Sequence, residues 1–168
     1  MEKIEIIKAD NQRLIEEISG LAQEIWTEHY TPIIGAAQVE YMLNKFQSVP
    51  AIKQDIENGC LYYLLSETGR ETFGYLSIRF DGSGLILNRI YIKTIYRRKG
   101  FARQAINFVE HLAKDKRCQE IILTVNKNNT HSIKAYEILG FKNAGPVVKD
   151  IGNGFVMDDY KMVKILVH

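Results

Sequence analysis

No apolar run in this chain approaches the ~20 residues that a membrane-crossing helix needs. Its first residues, Met-Glu-Lys-Ile-Glu, carry acids where a secretion signal would be basic and then apolar. Cysteine is scarce: there are two, Cys60 and Cys118, with no CxxC and no histidine at metal-ligand spacing from either. That excludes a disulfide framework and gives no zinc-ligand pattern, so free thiols, no metal and a cytoplasmic setting are expected. Proline is also scarce, at three residues, and no Pro/Gly/Ser-rich linker, repeat or low-complexity tract interrupts the 168 residues. A single domain over residues 1–168 is expected. Neither GxxxxGK[ST] nor GxGxxG occurs, which removes the two commonest glycine-rich nucleotide fingerprints. The net charge is only +2, small for a dedicated nucleic-acid binder.

What is present is ordinary in bulk and uneven in detail. The chain is 46% hydrophobic and 25% charged, enough for a core. Residues 1–60 hold five bases against ten acids, a net of −5, and residues 61–168 hold seventeen against ten, a net of +7. The back of the chain suits an anion and the front a cation.

Period and punctuation predict the elements. "KIEIIKA" reads as a first strand. Asp10 or Asn11 can cap a helix running to about Trp26–His29, with Leu14, Ile18, Leu21, Ala22 and Ile25 on one face. "HYTPIIG" reads as a loop. Helices follow at about 36–46 and 51–57, then strands at 61–67, 71–80 and 85–92. A helix over 100–116 has Phe101, Ala105, Phe108, Val109 and Leu112 at helical spacing. After it come a strand at 120–126, a helix from Asn128 or Asn129 to about Leu139, and a closing strand pair. The order β-α-α-β-β-β-α-β-α-β-β predicts an α+β fold: a mixed sheet of about seven strands with helices on both faces.

The stretch "YRRKGFA", residues 96–102, stands out. It joins an apolar strand to a helix, and from Lys93 to Val109 there are five bases and no acid. A solvated basic loop, a nucleic-acid patch and an anion cradle all fit the charge. A strand–turn–helix passage with glycine favours the cradle. The first helical N–H groups have no intrahelical acceptor, they form the positive end of the dipole, and Gly100 with Ala102 leaves room for close approach.

Two motifs then converge. Arg97-x-x-Gly100-x-Ala102 after Ile90-Tyr91-Ile92 resembles the pyrophosphate loop, [RQ]-x-x-G-x-[GA], of the GCN5-related N-acetyltransferases (GNAT). One helix and one strand later, Val125-Asn126-x-x-Asn129-x-x-Ser132-x-x-x-Tyr136-x-x-x-Gly140-Phe141 resembles a second segment of that family. Within the family, "LNRIYIKTIYRRKGFARQAI" and the ending "MDDYKMVK" look like the PaiA-like diamine and polyamine acetyltransferases.

The resemblance implies a GNAT fold, acetyl-CoA as cofactor with CoA as product, and transfer of an acetyl group to a primary amine. Pantetheine would pair with the backbone of Ile90, Tyr91 and Ile92. The pyrophosphate would rest on backbone amides from Arg98 through Lys99, Gly100, Phe101 and Ala102 to Arg103, with Arg97, Arg98, Lys99 and Arg103 adding attraction. Asn129 and Ser132 lie in the cofactor-binding segment. Tyr136 matches the tyrosine placed near the thioester sulfur. A phenol, which titrates near pH ~10 in water, holds a proton at neutral pH that it can give to a departing thiolate. A packed core tyrosine is the structural alternative.

Many members use a fourth-strand carboxylate as base. Here Asn88 and Arg89 occupy that stretch, and no acid lies between Asp81 and Glu110. Glu28, His29, Asp158, Asp159 and solvent are the remaining candidates. "WTEHYTPIIG" lies where the family's acceptor loop lies, so Trp26 and Tyr30 join the candidate acceptor residues. The acidic front third and the PaiA-like resemblance point to a small cationic amine such as a polyamine. Dimers are common in the family, so the resemblance allows a homodimer while the sequence does not give the oligomeric state; no nucleic-acid or membrane partner is expected. The competing readings are a non-catalytic acyl-CoA-binding regulatory module on the same fold, and a nucleic-acid binder using residues 93–103.

Overall fold

The structure, a computed structural model, describes residues 3–167. Among them the elements run β1 (Ile4–Lys8), α1 (Gln12–Ile34), α2 (Ala36–Phe46), α3 (Val49–Glu57), β2 (Leu61–Glu67), β3 (Thr72–Asp81), β4 (Gly84–Ile92), a 3-10 turn (Thr94–Tyr96), α4 (Phe101–Asp115), β5 (Glu120–Asn126), α5 (Thr130–Ile138), β6 (Lys142–Gly152) and β7 (Phe155–Ile165). This is the predicted order with one addition: three helices, not two, precede β2. The strands form one seven-stranded sheet in the order β1-β2-β3-β4-β5-β7-β6. It is mixed because β4 and β5 run parallel over Gly84–Ile86, whereas β1/β2, β2/β3, β5/β7 and β6/β7 are antiparallel. The fold is thus the α+β one expected.

The chain divides into two compact units, Met1–Arg79 with Arg89–Ala105, and Phe80–Asn88 with Ile106–His168. In the first, Asn11 caps α1, its side-chain oxygen accepting from Leu14 N at 3.0 Å. The expected apolar face, Leu14, Ile18, Leu21, Ala22 and Ile25, is buried. Nearly all of β2 and much of β3 is buried, including the successive pair Leu64 and Leu65, so these strands are covered on both faces. Each such side chain contributes about 1.5–3 kcal/mol relative to leaving it in water. In the second unit, Ile106, Val109 and Ala113 of α4 and Leu85, Ile121, Phe141 and Met162 are buried, while β6 is an edge strand with most residues exposed. Phe108 and Leu112 are only half-buried, so the buried stripe of α4 is rotated slightly from the one the spacing suggested.

One expected element differs. "HYTPIIG" is not a loop: α1 continues to Ile34 with Pro32 inside it, and ends at Gly35. Proline costs a helix one N–H bond and crowds the preceding turn. Here the ring contacts of Tyr30 outweigh that local preference by packing against Trp26, one turn back, and against Tyr91.

Candidate active site

In the first unit, the turn after β4 is built on a wall of rings. Phe73 stacks on Tyr96 (centroids 5.0 Å, 17° between planes) and on Phe101 (4.8 Å, 29°). Phe101 is buried, so its contribution here is to pin the start of α4. Above this wall Gly100 has φ +80° and Arg98 φ +61°. Glycine adopts such values freely; an arginine does so at a cost on the order of 1 kcal/mol, which the surrounding structure must outweigh. The resulting bend brings the chain into α4, whose first N–H groups lack an intrahelical acceptor. The side chains of Arg98, Lys99 and Arg103 are exposed around it, and Lys99 Nζ lies over the Tyr96 ring at 5.3 Å. Donors, positive helix end and exposed cations fit a pyrophosphate.

Arg97 is used differently from its neighbours. Its Nε donates to the Ile92 carbonyl at 3.1 Å, and its Nη1 lies 3.4 Å from His29 Nδ1. A guanidinium has only donors, so Nδ1 must be the unprotonated nitrogen. Lys93 Nζ pairs with Glu24 at 3.4 Å. Both contacts tie the end of β4 to α1.

The same helix carries the acceptor candidates into an aromatic cluster. Trp26 lies 5.5 Å from Tyr30 and 5.2 Å from Tyr91, and His29 lies 4.8 Å from Tyr30. Trp26 Nε1 donates to Tyr75 Oη at 3.0 Å, and Tyr75 Oη donates to Gln47 Oε1 at 2.7 Å. Burial holds the Tyr75 phenol well above its ordinary value, so it remains a donor. The Arg89 guanidinium sits 5.9 Å from both the Trp26 and the Phe46 rings. Burial opposes its charge, but the hydroxyls of Tyr91, Tyr62 and Tyr75 and the Asp55 carboxylate more than offset this, and its pKa is raised. Asp55 accepts from Tyr62 Oη at 2.6 Å. The sequence reading missed this Arg89–Asp55–Tyr62–Tyr75–Gln47 group, because its five members come from five separate elements with no shared spacing. Glu28 is exposed on α1.

In the second unit, Asn129 is buried and caps α5, accepting from Ser132 N at 3.4 Å. Tyr136 is half-buried and meets the edge of Phe141 (5.8 Å, 64°), and its carbonyl accepts from Phe141 N at 3.0 Å. Asp158 forms an ion pair with Lys127, and its backbone carbonyl accepts from Lys127 N at 3.1 Å. Asp159 faces Asn126 and Val147 in the β7 register. Among the described residues there is no cluster of three or more His, Cys, Asp or Glu able to hold a metal ion, and no helix is long and apolar enough to cross a membrane.

A sequence profile described as the acetyltransferase (GNAT) family matches residues 19–141. The chain belongs to this family. Its first curated relatives include the spermine/spermidine N(1)-acetyltransferase of Bacillus subtilis, 33% identical over 60 residues; the match covers 35% of this chain and 40% of that protein. The fold of this GNAT chain is shared with the PaiA N-acetyltransferase of Thermoplasma acidophilum, solved in complex with coenzyme A (TM-score 0.81, 21% identity, 98% of this chain and 99% of that one). It is also shared with the ribosomal-protein-S18-alanine N-acetyltransferase of Escherichia coli (TM-score 0.69, 15% identity, 99% and 96%). The family and fold expected from the two motifs are therefore those found, and both motifs up to Gly140-Phe141 lie within the matched residues.

Proposed function

We propose that this GNAT protein is an N-acetyltransferase that moves an acetyl group from acetyl-CoA to a primary amine, with a small cationic amine of the polyamine kind as acceptor. The observation that carries the reading is the turn at residues 97–103: left-handed Arg98 and Gly100, the start of α4, whose first amides have no intrahelical acceptor, and three exposed cations. Family membership supports the cofactor, and the activity named for the Bacillus relative supports the acceptor class. So does the net −5 of residues 1–60.

Acetyl-CoA, when bound, supplies the activated acyl group. The amides of 98–103 would hold its pyrophosphate, the backbone of Ile90–Ile92 would align the pantetheine arm, and Asn129 of the second motif would contact that arm. The phenol of Tyr136 would hold the proton that the departing thiolate takes as the C–S bond breaks, once the amine has added to the thioester carbonyl and formed the C–N bond. Arg89 rather than a carboxylate stands in the strand-four stretch, His29 Nδ1 faces Arg97, and Asp158 is paired with Lys127. With those groups engaged, solvent, Glu28 and Asp159 are the routes left for the acceptor's proton, and solvent is the one this reading takes.

A steady-state screen of spermidine, spermine, short diamines, lysine peptides and neutral amines with acetyl-CoA tests the proposal. Turnover with the cationic amines is expected. Turnover confined to neutral or acidic amines refutes the acceptor class. Coenzyme A binding with no turnover on any amine, unchanged by Tyr136→Phe, favours the regulatory-module reading.

A further inference from the structure

The last strand carries "MDDYKMVK", residues 157–164, and neither the cofactor turn nor the acceptor cluster uses its last lysine. Lys164 projects from β7, a strand bonded on both sides: Val163, its neighbour, is in register with Ile122 of β5 and Lys142 of β6. Its ammonium donates to the Leu139 carbonyl at 2.7 Å and forms an ion pair with Glu110 of α4. The two side chains are only 23% and 17% exposed, so solvent screens this pair less than an ordinary surface one. Leu139 is the C-cap residue of α5, the negative end of that helix dipole, where a cation is favourable. The lysine stem lies across the helix end: a Cβ on Gly140 would come 3.2 Å from Lys164 Cε.

α5 needs such a fastening. It is nine residues long and none of them is buried, so apolar packing holds it weakly, and a helix this short is marginal by itself. Its start is held by the Asn129 cap and its end by Lys164. Tyr136 lies three residues, less than one turn, before Leu139.

We infer that Lys164, partnered by Glu110, is a positioning residue for acetyl transfer: it clamps the C-terminal end of α5 and so holds the Tyr136 phenol where it donates its proton. This rests on the reading of Tyr136 as the acid. The clamp accounts for the lysine of this motif; the glycine after Leu139 follows from its own φ of +99°.

The test combines exchange and kinetics on the full chain. In Lys164→Met, amide hydrogen exchange over residues 130–139 accelerates while that of β2 and β3 does not change. The kcat falls about 10- to 100-fold, the scale expected for a displaced catalytic group, and coenzyme A affinity by titration stays at the wild-type value. Lys164→Arg, which keeps a cation at the helix end, recovers part of the loss. The double variant Lys164→Met/Tyr136→Phe is no slower than Tyr136→Phe alone, because the lysine acts through the phenol. Where Lys164→Met does not fold, Glu110→Gln, with a smaller kcat loss, carries the same comparisons. Wild-type exchange and kcat in Lys164→Met, or losses that multiply in the double variant, overturn the inference while leaving Tyr136 as the acid. Full turnover by Tyr136→Phe removes the acid role itself, and this inference with it.

Discussion

Adding one methyl group at Gly74 should damage the cofactor strand. Gly74 lies in β3, opposite Leu65 of β2. A Cβ built there falls inside 3.0 Å of the Tyr91 carbonyl oxygen, 3.2 Å from Ile92 Cα and 3.4 Å from Ile92 Cγ1. The first two are backbone atoms and cannot swing aside as a side chain would. Restoring an ordinary contact of about 3.5 Å requires β4 to shift by something on the order of 1 Å. Overpacking of this kind costs about 1–3 kcal/mol. At about 2–4 °C per kcal/mol for a chain of this size, Tm should fall by roughly 2–12 °C in Gly74→Ala. Function should suffer as well, since the Ile92 carbonyl anchors Arg97 and the displaced residues precede the phosphate turn. Gly20→Ala is the matched control. Gly20 sits within α1 with nothing within 4 Å of its added Cβ, so alanine there should stabilise by about 0.5–1 kcal/mol. Thermal unfolding followed by circular dichroism, with calorimetric titration of coenzyme A, reads both effects. A Gly74→Ala protein with wild-type Tm and wild-type affinity would refute the close-approach argument.

Four other outcomes follow from the same contacts. Gly100→Glu should abolish coenzyme A binding, because it places a side chain and an anion at a φ of +80° in the cradle, whereas Lys99→Ala should only weaken it; equal mild losses in titration would sink the cradle reading. Tyr136→Phe should lower kcat by about 10²- to 10⁴-fold with coenzyme A affinity retained; equal kcat values would remove the acid role. The pH–rate profile of kcat/KM should keep rising toward the acceptor's own titration near pH ~10, and a plateau near neutrality would reveal a base on the protein. Alkaline stability should fall as well. Burial raises the folded-state pKa of Tyr62 and Tyr75, so below about pH 10 both folded and unfolded phenols are neutral and nothing is lost. As pH climbs from there toward the folded values, the unfolded phenols ionise first and stability drops. Urea midpoints at about pH 8 and about pH 10.5 check this, and an unchanged midpoint would contradict it.

The elements were legible because their signals are local. Asn11 and Asn129 sit where a helix needs an acceptor, apolar residues recur at the helical period in α1, and glycines stand at the ends of α1 and α5. The one misplaced element, residues 29–35, shows the limit of such signals: Pro32 argues for a break, and only the rings of Trp26 and Tyr91, far apart in sequence, decide for a continued helix. The phosphate turn was legible for a different reason. A backbone cradle depends on consecutive residues, so Arg97, Gly100 and Ala102 carry it in six positions. Their individual uses were not readable. Arg97, placed with the phosphate-attracting cations by sequence, donates to the Ile92 carbonyl and faces His29.

The sequence by itself determined the family, the order of elements and the two motifs, because these rest on periodicity and short-range spacing. Tertiary structure alone decided which charges are engaged. Asp158 pairs with Lys127, Lys164 grips Glu110 and the end of α5, and Arg89 stands among the Trp26 and Phe46 rings near Asp55. A charge interacts with whatever the fold brings within a few ångströms, and separation along the chain does not encode that distance.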